Sequence, residues 1–303
     1  MAKQLIAVMG ATGTQGGGVV DELLDRQRFA VRVLTRNPNS AKAKALQAKG
    51  CEVVQGDFTK PETLEPAFKN AYGAFVVTNF WDPSTMESET AQGTLAVKAA
   101  KTAGVQHLVW STLPNCQEIS GGKYEVIHFT GKALVDAEVK AASFPYYTFV
   151  EPPMYFQNLL GMMAPQPLED GGKGLKLPMN PSSKSLHIGD PVEMGKLAAR
   201  VFEHPDTVGT GQHLAQASEL TSWQEMIDTL NAQGHHFRFN QVPNEVFDTF
   251  PFPGAAELRE MMNYFEDYTY FGPDADSKLA LARELYPEGF TPFAEWASRN
   301  MIP

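Results

Sequence analysis

Residues 1–16 read MAKQLIAVMGATGTQG, an apolar run over residues 5–9 that leads directly into Gly10, Gly13 and Gly16. Behind the glycines, Val19, Val20, Leu23 and Leu24 recur at helical spacing. Strand, glycine turn and helix in that order form the opening unit of a dinucleotide-binding fold. The glycines let the backbone turn sharply and approach a pyrophosphate. The N–H groups at the helix start then face its negative charge. The spacing is G-x-x-G-x-x-G. Glycines also make ordinary turns, so the flanking strand and helix carry the inference.

Outward from this unit the first half alternates regularly. The pattern predicts strands at Gln4–Met9, 30–36, 51–55, 74–79, 107–112 and Tyr146–Glu151. Helices are predicted between them at Thr14–Arg26, 40–48, 61–69, 86–103 and 123–141. Strands alternating with helices imply right-handed crossovers and a doubly wound, largely parallel α/β sheet. Ligands of such sheets bind at the carboxyl ends of the strands, so residues 10–16, 35–37, 56–58, 78–81, 111–115 and 151–156 belong together.

After Pro152 and Pro153 the alternation stops. Residues 155–163 suggest a short apolar helix, and the Pro- and Gly-rich stretch 165–181 a loop with a hairpin. Residues 186–188, then Asp190, Pro191 and an apolar-periodic run to Phe202, suggest a capped helix with proline at its first position. This helix is expected to rejoin the sheet. Shorter helices follow residue 221, bounded by Ser222, Pro243, Gly254 and Pro273. The expected organisation is a dinucleotide-binding domain over 1–152, rejoined near 185–215, and a smaller, mainly helical domain over 153–303. The aromatics of the second half, Phe247, Phe250, Phe252, Tyr264, Phe265, Tyr268, Tyr270 and Phe271, suit either the core of this cap or the wall of a pocket over the cofactor.

Composition narrows the function. The chain has 303 residues, 43% hydrophobic and 20% charged, with a net charge of −10. This acidic balance, without a basic run, argues against a nucleic-acid-binding surface. No apolar stretch approaches the ~18 residues of a membrane span, and the N-terminus lacks a signal-peptide pattern. Cys51 and Cys116 provide no disulfide framework, which suits a cytoplasmic or nuclear setting. The seven histidines form no cluster with metal-ligand spacing, so no metal is expected.

The cofactor is read at the end of the second strand. Arg36 follows Gly16 by about twenty positions, where an acidic residue would bond the ribose 2′-hydroxyl of NAD. A guanidinium there can grip a 2′-phosphate bidentately, which points to NADP(H). Thr35, Asn37, Ser40 and Lys42 offer further donors. Asp57 and Phe58 are placed for the adenine, and Thr78 and Asn79 follow the fourth strand.

The chemistry is less determined. Short-chain reductases of this fold use a tyrosine as proton donor and a lysine four residues later on one helical face. Here Tyr124, His128 and Lys132 are spaced by four, so His128 stands in the tyrosine position before Lys132. Tyr124 is roughly 12 Å from Lys132 along a helix, too far to serve as its direct partner. Ser111 matches the position of a carbonyl-polarising serine. His128, Lys132 and Ser111 are therefore the candidate catalytic residues. A histidine can donate a proton near neutral pH or simply fill the wall of the site.

Taken together, GATGTQG over 10–16, TRNP over 35–38, VQGD over 54–57, TNFW over 78–81, HFTGK over 128–132, YFQNLL over 155–160 and FPG over 252–254 resemble the NmrA-like family. The likeness runs along nearly the whole chain and is greatest to the family's HSCARG-type NADPH-sensor branch. The resemblance implies an atypical short-chain dehydrogenase/reductase fold that binds NADP(H). It implies that Gly10, Thr12, Gly13, Thr14, Gln15 and Gly16 hold the pyrophosphate, Arg36 the 2′-phosphate and Lys132 the nicotinamide ribose. Tyr155 and Phe156 would lie beside the nicotinamide. Glu151 stands where many relatives have a neutral or basic residue.

Two functions fit these residues. One is a redox sensor or regulator that binds NADP(H) and a protein partner with little turnover, with residues 165–181 and 115–123 as segments that order with ligand. The other is an NADPH-dependent reductase of a quinone, enone or similar conjugated carbonyl stacked under Trp81, Phe156 and Phe265. A homodimer is compatible with both.

Overall fold

The computed structural model describes residues 3–81, 85–169 and 171–302. The strands are β1 (Gln4–Met9), β2 (Phe29–Thr35), β3 (Glu52–Gln55), β4 (Gly73–Val76), β5 (His107–Ser111), β6 (Tyr146–Glu151), β7 (Met154–Tyr155), β8 (Gln166–Pro167), β9 (Lys173–Leu177), β10 (Leu186–Gly189), β11 (Thr210–Ala215), β12 (Glu219–Thr221) and β13 (Phe237–Gln241). The first helices are α1 (Thr14–Arg26), α2 (Ala41–Ala48), α3 (Leu64–Phe68), α4 (Met86–Thr102), α5 (Cys116–Ile119) and α6 (Ile127–Ala141). The later ones are α7 (Met194–Glu203), α8 (Pro205–Val208), α9 (Trp223–Ala232), α10 (Asn244–Phe247), α11 (Ala255–Tyr268), α12 (Ala275–Leu285) and α13 (Phe293–Asn300).

Seven strands form one parallel sheet in the order β11-β6-β5-β4-β1-β2-β3. The chain moves outward from β1 to β3, then crosses back to β4, so the order reverses beside β1. That switch point leaves a crevice at the carboxyl ends of the strands. Alternation along β1 explains the two helical layers. Ile6 and Val8 pack with Val19, Val20 and Leu23 of α1 and Leu197 and Val201 of α7. Ala7 and Met9 face the other way, toward Ala96 and Val97 of α4, Val135 and Val139 of α6 and Phe68 of α3. Both faces of the sheet are buried, as a parallel sheet requires.

The second half adds helices and two small sheets, β12-β10-β7 and β13-β9-β8. Asp190 caps the turn Pro191–Glu193 by accepting from the Val192 N–H at 3.0 Å, and α7 follows. The chain then returns to the large sheet through β11, parallel to β6. Ser222 and Glu225 form a reciprocal capping box at the start of α9. The stretch around residue 170, which itself lies outside the described residues, contains the antiparallel pair β8–β9.

Three sequence expectations shift. Strand β4 ends at Val76, and residues 77–79 lie beyond it in the cleft lining. Helix α6 begins at Ile127 rather than at 123, because the buried Val126 adopts a left-handed φ of 40° and the regular helix starts only after it. Tyr124 therefore lies before the helix, with its hydroxyl donating to Asp267 at 2.8 Å. Residues 155–163 are not an α-helix but a strand end followed by the 3-10 turn Phe156–Leu160.

Candidate functional site

The crevice at the switch point is a cleft of about 480 Å³, within the usual range of ligand pockets. Its floor is the turn between β1 and α1. Gly10 has φ +76°, and a Cβ there would meet Val77 Cγ1 at 2.4 Å. A Cβ at Gly16 would lie 2.4 Å from the Gly10 carbonyl oxygen, so only glycine lets α1 start this close to β1. Gly13 N–H donates to Gly10 O at 2.9 Å and closes the turn. The first bond of α1 runs from Gly17 N–H to Gly13 O at 2.8 Å. The preceding N–H groups have no acceptor within the helix and suit an anion.

Around this floor the structure gathers Thr12, Thr14 and Gln15, then Thr35 and Arg36 from the end of β2 and Asp57 and Phe58 after β3. Thr78 and Asn79 after β4, and Tyr155, complete the lining together with Gln92, which sequence reasoning did not single out. Burial pushes the Asp57 carboxyl up, but hydrogen bonds from Thr59 and the charges of Lys60 and Arg36 outweigh it and hold it below its usual value. Arg36 is exposed on the rim, at the end where an adenosine ribose would lie in this fold.

Four candidate residues sit outside the lining. Ser111 is fully buried, and its hydroxyl donates to Gln15 Oε1 at 2.8 Å. Gln15 Nε2 donates in turn to the Tyr155 hydroxyl at 2.5 Å. Gln15 thus links the buried serine to a phenol that faces the cleft. Burial, opposed by Gln15, pushes the Tyr155 hydroxyl up to about 12, so it stays protonated.

Lys132 lies one layer deeper. Its ammonium forms an ion pair with Glu89 of α4 and donates to the Thr78 hydroxyl at 3.0 Å and the Thr78 carbonyl at 3.1 Å. Thr78 Oγ1 also donates to Glu89 Oε1 at 2.5 Å. Burial lowers the Lys132 pKa, and Glu89 opposes that shift. Glu89 was not anticipated from sequence. Its signal was its spacing, in register with the buried Gly93, Ala96 and Ala100 on the inner side of α4.

His128 does not reach the cleft lining. Its Nδ1 pairs with Glu257 Oε1 of α11 at 2.5 Å, and its ring packs on Phe80, Trp81 and Phe129. Burial pushes the Glu257 carboxyl up, but the hydrogen bonds and charge of His128 dominate and leave it lowered. Phe156 is fully buried against Phe293 and Trp296, and Phe265 belongs to the same core. Neither ring is available to stack on a substrate, because each fills the interior of the second half. Tyr264, Tyr270 and Phe271 are also core residues of that half. Trp81 lies outside the cleft lining, packed on Phe80 and His128, and is the one ring of the expected stacking set that stays exposed, at 47%.

A sequence model of the NmrA-like family matches residues 2–297. The chain is 38% identical to the NmrA-like family domain-containing oxidoreductase himF of Aspergillus japonicus, covering 91% of this chain and 88% of that protein. It is 31% identical to the corresponding oxidoreductase FrzB of Cladobotryum sp., over 92% of this chain and 90% of that one. Among solved structures, NmrA, a negative transcriptional regulator in complex with NADP, superposes with TM-score 0.80 at 22% identity, covering 99% and 96% of the two chains. The NADPH-dependent quinone oxidoreductase QOR2 of Escherichia coli, complexed with NADPH, gives TM-score 0.78 at 20% identity over 97% and 99%.

Proposed function

This chain belongs to the NmrA-like family, and from that premise we propose that it is an NADP(H)-binding redox sensor or regulator with little dehydrogenase turnover. The glycine cradle, the open N-terminus of α1 and Arg36 at the end of β2 fit a phosphorylated dinucleotide. Relatives of this fold have been solved with NADP or NADPH, which supports the same cofactor here. Gly10 to Gly16 would hold the pyrophosphate, Arg36 the 2′-phosphate, and Thr78, Asn79 and Tyr155 the nicotinamide end. When bound, NADPH supplies a hydride.

The observation that carries the sensor reading is the engagement of the proton-transfer candidates. Lys132 is committed to Glu89 and Thr78, and His128 to Glu257 on the cap. These contacts hold the fold around the cleft, whereas catalysis needs a donor aimed at a reacting atom. Regulation would then follow from differential affinity, since a ligand shifts a conformational equilibrium only as far as it binds the two states differently. In this reading residues 1–152, rejoined near 185–215, form the cofactor-binding domain, and the rest of 153–303 forms the cap that a protein partner or a second copy reads. Amide hydrogen exchange with and without NADPH tests it. Altered protection in α11 or in residues 115–123 is expected, and identical protection throughout the cap would sink the idea.

A second reading rests on Tyr155. Its hydroxyl faces the cleft, stays protonated and accepts from Gln15, so its own proton is free to donate. The curated relatives himF and FrzB are named oxidoreductases. A quinone or enone reductase could use this phenol, because a conjugated carbonyl asks little of an acid. Under this reading NADPH consumption with quinones exceeds the protein-free rate and falls at least tenfold in Tyr155→Phe. Under the sensor reading it stays at the protein-free rate in both.

A further inference from the structure

The chain of contacts from Ser111 through Gln15 to Tyr155 ends on a proton with no acceptor in the protein. Ser111 is fully buried, and Gln15 Oε1 at 2.8 Å is the only hydrogen-bond partner of its hydroxyl among the described residues. A buried hydroxyl without an acceptor is costly, so this contact fixes which way the Gln15 amide points. With the amide reversed, its nitrogen would face Ser111 and leave the serine proton unpaired. Gln15 Nε2 therefore donates to the Tyr155 oxygen at 2.5 Å, and the phenol has no acceptor on that side. The Tyr155 proton meets no acceptor among the described residues, and Tyr155 lines the cleft.

The topology divides the cleft into two halves. Arg36 and Asp57 follow β2 and β3 on one side of β1, whereas Thr78 follows β4 and Tyr155 follows β6 on the other. With the NADP(H) assignment proposed above, on which this inference rests, the first half takes the adenosine and the second the nicotinamide. Asp57 is the only carboxylate in the cleft lining, and it belongs to the first half. Glu89 lies behind Thr78 and is paired with Lys132. The nicotinamide half thus lines the cleft with a hydrogen-bond donor and no carboxylate.

The two oxidation states of the cofactor differ at this end. In the reduced ring the nitrogen lone pair is conjugated with the carboxamide and loads its oxygen with negative charge. In the oxidised ring that nitrogen is cationic, draws density from the carboxamide and is stabilised by an anion. A fixed neutral donor therefore favours the reduced ring. We propose that Tyr155, aimed by Gln15 and Ser111, donates to the nicotinamide carboxamide oxygen and makes the site select NADPH over NADP⁺. Tyr155 is then the specificity-determining residue, and Gln15 and Ser111 are positioning residues. The phenol keeps its proton, because burial pushes its pKa up to about 12 against the opposing bond from Gln15. In a sensor this contact supplies the difference in affinity between the two forms of the cofactor.

The test is calorimetric titration of the full chain with NADPH, NADP⁺ and 2′,5′-ADP, which lacks the nicotinamide. Wild type is expected to bind NADPH more tightly than NADP⁺. In Tyr155→Phe that preference should fall by about threefold to tenfold, the net worth of one hydrogen bond, with 2′,5′-ADP affinity unchanged. Ser111→Ala should lose part of the preference, because Gln15 is then free to turn and accept the Tyr155 proton. Its affinity for 2′,5′-ADP should also hold, which damage to the glycine cradle would not allow. A wild type that binds NADP⁺ as tightly as NADPH, or a preference that survives Tyr155→Phe or is untouched by Ser111→Ala, would overturn the proposal. Binding of none of the three ligands would instead overturn the cofactor assignment, and this inference with it.

Discussion

Arg36 is the residue that we propose decides between phosphorylated and unphosphorylated cofactor. Arg36→Asp should weaken NADPH binding by about tenfold to a hundredfold and leave NADH nearly unchanged, as measured by calorimetry. Equal losses would mean that Arg36 does not read the phosphate. Glu89 tests a different kind of contact. Removing one partner of a buried ion pair leaves an uncompensated charge, so Glu89→Ala should cost about 3–5 kcal/mol in urea unfolding. Adding Lys132→Met should recover part of that loss, because the buried cation goes with its partner. Strict additivity of the two changes would contradict the pairing. Residues on strand ends and in the glycine turn were legible in sequence, since local periodicity fixes where they point. The partners of Lys132 and His128 were not, because Glu89 and Glu257 come from helices whose approach is set by tertiary packing.

At the scale of elements, α6 and α11 form the hinge of the account. The start of α6 is tied to α11 by Lys123–Asp267 at 2.6 Å, by the Glu125 N–H to Glu260 at 2.7 Å and by His128–Glu257. These contacts join the helix that carries Lys132 to the cap. Glu257 is held below its ordinary value of 4.5. A depressed carboxylate contributes stability above its unfolded pKa and loses it as pH falls through the folded one. Wild-type stability should therefore drop as pH falls below about 4.5, and Glu257→Gln should flatten part of that drop in thermal unfolding. An unchanged pH profile would remove this clamp from the account. The helix start at Ile127 was illegible because apolar spacing runs on through the left-handed Val126. Strand β11 was missed because Thr210, Gly211 and Gln212 carry a weak strand signal, and its place is fixed by pairing with β6.

At the scale of the whole molecule, the cleft at the switch point of the sheet is where we propose that a phosphorylated dinucleotide binds, and the aromatics of the cap pack on one another. Ligand that binds only the folded chain adds ~2.7 kcal/mol at a hundredfold excess over Kd. NADPH at that excess should thus raise Tm by several degrees, and Arg36→Asp should lose most of the rise. The layered α/β architecture was legible because strand and helix signals alternate regularly through the first half. Of the two small sheets of the second half only the β8–β9 hairpin was legible, since the other strands include ones as short as two residues and depend on distant pairing. The most direct test of the central claim is a crystal structure of the full chain with NADPH. The account predicts the pyrophosphate against Gly13 to Gly16 at the start of α1, the 2′-phosphate on Arg36 and the nicotinamide beside Thr78 and Tyr155. A dinucleotide seated elsewhere, or one whose 2′-phosphate points away from Arg36, would contradict it.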